Sequence, residues 1–204
     1  MTTTIHLVRH GEVHNPDDIY YGRIPGYGLS ERGREQAAAA GKFLANKSLV
    51  AIYASPQQRA QETAGIIAGS HNGLSVQSDE RLDEVYTPWD GAPSAKIAAR
   101  DFDMYTDSSD EYEQPIDIFH RVQSFTAHMR RLYEGKAIGA VSHGDILVFM
   151  FMFAVHTELT SKNKLDLKLL GFPEEYPVTA SVISLTYRTD EPDEVPRWKY
   201  IKPY

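Results

Sequence analysis

Ile5-His6-Leu7-Val8-Arg9-His10-Gly11-Glu12 turns from apolar to charged within one short stretch. Ile5 to Val8 reads as a buried strand, and Arg9-His10-Gly11 as the loop that leaves it. Two later segments have the same form. Leu49 to Tyr53 is a second core strand, followed by Ser55-Pro56 and then Arg59. Ala137 to Val141 is a third, ending in Ser142-His143-Gly144. Helical patterns lie between and after them. Ser30 can cap a helix reaching about Leu44, with Ala37, Ala40 and Leu44 on one face. Ser55-Pro56 is expected to open another, with Ala60, Ala64 and Ile67 as its inner stripe. Asp117 to Glu134 repeats Ile118, Val122, Phe125, Met129 and Leu132 at helical spacing. Ile146 to Val155 is apolar throughout and reads as a buried helix, too short to span a bilayer. Ser181 to Tyr187 and Trp198 to Ile201 are late strands. Strands alternating with helices predict an α/β fold, a three-layer α/β/α sandwich with a largely parallel central sheet.

The chain has 204 residues, enough for one domain with a modest insertion. The insertion is placed over about 80–115: Glu80 to Gln114 is irregular, holds Pro88 and Pro93, and carries acidic residues from Asp101 to Glu113. It is positioned to roof a site, and its acidic run reads as a solvated face. Asn15 to Leu29 is a long loop rich in Gly, Pro, Tyr and Asn. Hydrophobic residues at 42% and charged residues at 24% are those of a globular protein. The absence of cysteine excludes disulfides, thiolate metal sites and a cysteine nucleophile, and fits a cytoplasmic protein. A net charge of −7 disfavours nucleic acid as the main partner. The start, MTTTIHLVRH, has neither the basic nor the apolar region of a signal peptide, and no membrane partner is expected. Oligomeric state is not legible.

Ligands of open α/β sheets bind outside the carboxyl ends of the strands. If the three core strands are neighbours, Arg9, Arg59, His10 and His143 converge on one pocket. Such a set suits phosphate, because the guanidinium fork matches phosphate oxygens and stays charged. The helix opening at Pro56 would add backbone N–H groups. A neutral imidazole at His10 is a competent nucleophile toward phosphorus. Neighbouring arginines oppose its protonation and stabilise the transferring group. A carboxylic acid in the roof, such as Glu84, can protonate the leaving oxygen. His6, His10 and His14 recur every fourth residue, but Gly11 and the strand before it argue against a helical metal face, so no metal is expected.

Leu7-Val8-Arg9-His10-Gly11-Glu12 resembles the signature of the histidine phosphatase superfamily, the phosphoglycerate mutase-like proteins. The likeness continues in chain order. It runs through Tyr21-Gly22, Leu29-Ser30-Glu31-Arg32-Gly33, Tyr53-Ala54-Ser55-Pro56 with Arg59, Leu82-Asp83-Glu84, Val141-Ser142-His143-Gly144 and Thr179-Ala180-Ser181. The resemblance implies that His10 is the phosphorylated nucleophile and that Arg9, Arg59 and a cationic His143 bind the phosphate. Glu84 is then the proton donor and later the base, with Asp83 as the neighbouring alternative. Asn15, Tyr21 and Gly22 are implied as secondary substrate contacts. The family needs no metal or other cofactor for this chemistry. The expected function is hydrolysis of a small phosphorylated metabolite. A mutase is the nearest rival, but the family's mutases typically continue after the Glu with an Arg-x-Tyr-Gly type sequence. Here Val85-Tyr86-Thr87 follows Glu84, and the chain is shorter than those mutases usually are. A non-catalytic phosphate-binding module is the rival from another class. There is no Gly-x-x-x-x-Gly-Lys loop, Gly-x-Ser-x-Gly elbow or His-Glu-x-x-His motif.

Overall fold

The computed structural model describes residues 2–204. Strands β1 (Thr3–Arg9), β2 (Leu49–Ala54), β3 (Val76–Ser78), β4 (Ala137–Ser142), β5 (Val182–Tyr187) and β6 (Arg197–Ile201) form one sheet, ordered β3-β2-β4-β1-β5-β6. β4 lies parallel between β1 and β2, and β3 is parallel to β2. β5 and β6 extend the other edge antiparallel. The three expected core strands are therefore neighbours, and their carboxyl ends open on one side.

Helices cover both faces, as the three-layer reading requires. The helices are α1 (Glu31–Leu44), α2 (Gln58–Ala68), α3 (Ser94–Ala98), α4 (Pro115–Leu132), α5 (Gly144–Ala154) and α6 (Ser161–Leu165). Successive strand side chains point to opposite faces, so each strand feeds two cores. Val8, Ile52, Val141 and Val182 pack with Ala40 and Leu44 of α1 and Ala60, Ala64 and Ile67 of α2. Leu7, Tyr53, Ala140 and Ile183 pack with Ile118, Val122 and Phe125 of α4 and the apolar residues of α5. Every residue of α5 from Gly144 to Met152 is buried, which is why its sequence is apolar all round beyond Asp145. No helix among the described residues is long and apolar enough to cross a membrane.

Ser30 caps α1 as its position predicts: its Oγ accepts from Gly33 N at 2.9 Å. The second helix differs. It starts at Gln58, not at Ser55-Pro56, and its cap residue is Gln57. Ser55 Oγ does accept the Gln57 N–H at 3.2 Å, but the same hydroxyl is tied to His143 and Asp83. That triple commitment holds Ser55 out of the helix and leaves Arg59 in the first turn. Short β3 and α6 have no counterpart in the sequence reading, since neither is long enough to show a period. The stretch after Glu80 is irregular, as expected, with a single 3₁₀ turn at Glu80–Leu82 and the five-residue α3. Glu113 is not the solvated charge expected of its acidic run. It pairs with Arg121 at 2.6 Å and Arg23 at 3.2 Å and accepts the Tyr86 N–H at 2.8 Å, so it closes the roof on α4.

Gly11 marks where the loop after β1 meets α1. A Cβ there would stand 2.4 Å from the carbonyl oxygen of Gly33. Backbone has nowhere to move at such a contact. Gly11→Ala is therefore expected to cost about 1–3 kcal/mol, as overpacked sites do. Urea unfolding should show a lower midpoint with an unchanged slope; an unaltered midpoint would mean that the loop shifts freely.

Candidate active site

His10 follows β1 directly. Its N–H donates to Ser142 O at 2.9 Å, and its carbonyl accepts from Ala180 N at 3.0 Å. The residue is thereby fixed between the ends of β4 and β5. Its side chain is 2% exposed. Nδ1 lies 2.8 Å from Gly11 O, an acceptor only, so Nδ1 carries the proton and Nε2 keeps its lone pair. Burial holds the His10 pKa well below its ordinary value, with Arg59, His143 and Arg9 adding to the effect. The ring is neutral at physiological pH. Thr63 supports the loop, accepting from Gly11 N at 3.0 Å while donating to Arg59 O at 2.7 Å.

The other candidates gather around this ring. The His143 ring lies 5.3 Å from that of His10, edge-on, and Tyr21 lies 6.5 Å away on another side. Arg59 Nη2 donates to Gly22 O at 2.8 Å and lies 3.2 Å from both Glu84 Oε2 and His143 Nδ1. Glu84 Oε2 is 3.1 Å from His143 Nδ1, and Glu84 Oε1 accepts the Val85 N–H at 3.0 Å. Burial works to raise the Glu84 pKa, but His143, Arg59 and the Val85 N–H together hold it well below the ordinary carboxylate value. Arg9 donates to Pro177 O at 2.6 Å and lies over the Tyr176 ring. The Nε groups of both Arg9 and Arg59 are buried without a partner.

His143, expected to be cationic, sits under opposing influences. It is fully buried. Burial pulls its pKa below the ordinary value, against the opposing pull of Glu84. Its Nε2 lies 2.8 Å from Ser55 Oγ, whose own proton goes to Asp83 Oδ1 at 3.1 Å. Nε2 must then be the donor, and Nδ1 faces both Arg59 Nη2 at 3.2 Å and Glu84 Oε2 at 3.1 Å. Arg59 acts in the same direction as burial, and Asp83 adds to the opposing pull of Glu84.

Asp83 and Glu84 part company. Asp83 Oδ1 accepts from Ser55 Oγ, from Gln57 Nε2 at 2.9 Å and from Glu84 N at 2.8 Å, and Oδ2 faces Arg23 at 3.5 Å. Glu84 lines the open cavity. The Glu84 carbonyl is clamped by Arg23 Nη2 at 2.6 Å and Arg121 Nη2 at 3.2 Å, which sets where its side chain starts. Tyr21 also lines the cavity and lies under the Arg59 guanidinium at 4.8 Å. Gly22 contributes its carbonyl, at φ +37°; a Cβ would strike Asp90 at 1.7 Å. Asn15 lines the cavity too, but its amide is held by the Ile19 backbone at 2.9 and 3.3 Å. His6 is a strand residue bonded to Ser184 Oγ at 2.8 Å, remote in role from any metal face.

His10, Glu84 and His143 have potential ligand atoms within 4.8 Å of one another. Arg59, 3.2 Å from two of the three, puts fixed positive charge where a cation would lie. The donor set is better matched to an anion.

One cluster has no place in the sequence reading. Asp145, in the first turn of α5, accepts from Lys164 Nζ at 2.8 Å, from Tyr176 OH at 2.5 Å and from Tyr105 OH. Lys164 also donates to Phe102 O at 3.2 Å. These bonds tie the roof to the segment around α6. The available signal was a lone carboxylate opening an otherwise apolar helix.

Comparison with known proteins identifies the family. The family model for the histidine phosphatase superfamily (branch 1) matches residues 5–190. An uncharacterized protein of Mycobacterium tuberculosis, Rv0525, is 56% identical over 82 residues, 40% of each chain. Phosphoserine phosphatase 1 of Hydrogenobacter thermophilus is 30% identical over 147 residues, covering 67% of this chain and 69% of the relative. The match thus spans well under two-thirds of the first of these relatives. Among solved structures, mycobacterial glucosyl-3-phosphoglycerate phosphatase superposes with a TM-score of 0.76 at 22% identity, over 98% of this chain and 97% of that one. That neighbour is also known in complexes with VO3 and with inorganic phosphate. With the family model spanning residues 5–190, the chain belongs to the histidine phosphatase superfamily, branch 1.

Proposed function

We propose that this protein is a phosphatase that hydrolyses phosphate monoesters through a phosphohistidine at His10. The observation that carries this reading is a buried, neutral His10 whose Nε2 lone pair is free, set among Arg9, Arg59, His143 and Glu84. The phosphoryl group takes the place of the Glu84 carboxylate beside Arg59 and His143, and the orphaned guanidinium N–H groups gain oxygens to bind. His10 Nε2 attacks phosphorus as the ester P–O bond breaks, and Glu84 gives its proton to the leaving oxygen. Water then attacks the phosphohistidine, Glu84 takes its proton, the N–P bond breaks and phosphate leaves. Arg9 and Arg59 offset the charge on the equatorial oxygens throughout. No step calls for a metal. The absence of cysteine fits action in the reducing cytoplasm. The comparisons support a phosphatase in kind, since one curated relative is a phosphoserine phosphatase and one structural neighbour is a sugar-phosphoglycerate phosphatase.

Protonation sets the pH profile. The depressed His10 pKa keeps the nucleophile neutral as pH falls through its ordinary range, so no activity is lost there. The depressed Glu84 pKa leaves it ionised in the free site. A bound dianion adds like charge beside Glu84 and engages Arg59, which raises that pKa and draws in a proton. For an alkyl phosphate, kcat/KM should therefore fall roughly tenfold per pH unit above the second phosphate pKa of about 6. A profile flat from pH 6 to 8 would contradict the proton uptake. Incubation with 3-phosphoglycerate separates the reading from a mutase: free phosphate supports it, whereas isomer formed without phosphate overturns it.

A further inference from the structure

The site opens into a cavity of about 810 Å³, much larger than a phosphoryl group needs. Its walls differ from its floor. Ile19, Ile97, Phe102, Met104, Leu165 and Leu169 supply the apolar lining. Phe102 is 59% exposed, Leu165 48% and Leu169 84%, so three of the large apolar side chains that the protein leaves open to water meet at one rim. Exposed apolar residues grouped around a concave site mark a binding surface.

The charges of the lining tell the rest. Arg9, Lys164 and Lys168 face Glu84, Asp101, Asp145, Asp166 and Glu175. Arg9 belongs to the phosphate site. Lys164 is buried and paired with Asp145 at 2.8 Å, and Lys168 is paired with Glu175 at 3.3 Å. Beyond the phosphate site the lining thus sets four carboxylates, Asp101, Asp145, Asp166 and Glu175, against two lysines, of which Lys164 is buried in its pair. Tyr20, Tyr21 and Tyr176 stay neutral, each with its pKa raised first by burial. They offer ring faces and hydroxyls, not charge.

From this we infer that the leaving group of the substrate is a bulky, largely apolar alcohol bearing no second anionic group. The inference rests on the phosphatase reading of His10 and names the substrate class of that same site. The Lys164 bond to Phe102 O fixes the backbone of the rim residue, so the apolar wall is built in place. An acid group on the leaving alcohol would meet Asp101 or Asp166 in a lining that holds more carboxylate than cation.

Three unactivated esters test this: phenethyl phosphate, methyl phosphate and 3-phosphoglycerate, each followed by phosphate release with the native protein. Phenethyl phosphate should lead both others in kcat/KM by about tenfold or more, the scale on which pockets discriminate by apolar contact. Phe102→Ala should shrink its lead over methyl phosphate. Asp166→Lys should narrow its lead over 3-phosphoglycerate by removing one repelling charge and adding an attracting one. Phosphate release with 3-phosphoglycerate or methyl phosphate leading would overturn the inference while leaving the phosphatase reading intact. No release from any ester, with no acid-labile phosphate trapped on His10, would sink both.

Discussion

His10→Ala is expected to lower kcat by about 10⁵-fold or more, the scale seen when a covalent nucleophile is removed. The loss should be in chemistry and not in folding. The His10 backbone bonds to Ser142 and Ala180 do not depend on the side chain, and the ring's one hydrogen bond is to the adjacent Gly11 carbonyl. Removing a buried, desolvated imidazole leaves a space beside His143 and Tyr21 that water can enter. The urea midpoint should stay close to that of the parent protein. Two measurements decide the matter. A radiolabelled phosphoryl donor should leave acid-labile label on the parent and none on the variant, and the variant should still bind vanadate. A labelled His10→Ala protein with ordinary turnover would place the nucleophile elsewhere.

Glu84→Gln is expected to lower kcat by about 10²–10⁴-fold on an alkyl phosphate, the usual contribution of a positioned general acid. The effect should depend on the ester. A 4-nitrophenolate leaves without help, so loss of the acid should be felt much less in formation of the phosphohistidine. Label should then accumulate on His10, because the second step still needs a base for water. Asp83→Asn provides the contrast. Its carboxylate accepts from Ser55, Gln57 and the Glu84 N–H, so its loss disturbs the Ser55–His143 arrangement. That variant should lose stability and activity together, with no dependence on leaving group. An equal response of Glu84→Gln to both esters would deny it the acid role.

The contrast between these carboxylates shows what the chain alone conveys. Leu7-Val8-Arg9-His10 and Val141-Ser142-His143 were readable because an apolar run ending in polar residues is a local pattern. Convergence of their side chains required the three strands to be neighbours, and β4 does lie between β1 and β2. Asp83 and Glu84, one residue apart, could be told apart only by long-range partners such as Ser55 and His143. The start of α2 was misplaced for the same reason, since Ser55 and Pro56 suit a helix start locally but Ser55 is claimed by His143 and Asp83. The charge of His143 turns on burial and on Glu84, Arg59 and Asp83 around it, which no spacing reports. The Asp145, Lys164, Tyr105 and Tyr176 cluster joins four separated segments and leaves almost no trace along the chain.

The division of labour between sheet and loops has a bearing on descent. Arg9, His10, Ser55, Arg59 and His143 stand at or just beyond strand termini, whereas the rim residues Phe102, Leu165 and Leu169 lie on connections that contribute nothing to the ladder. Drift in those connections can redirect what is accepted without touching the reacting atoms. Duplicated copies of such a gene are therefore free to diversify in diet while inheriting one unaltered engine.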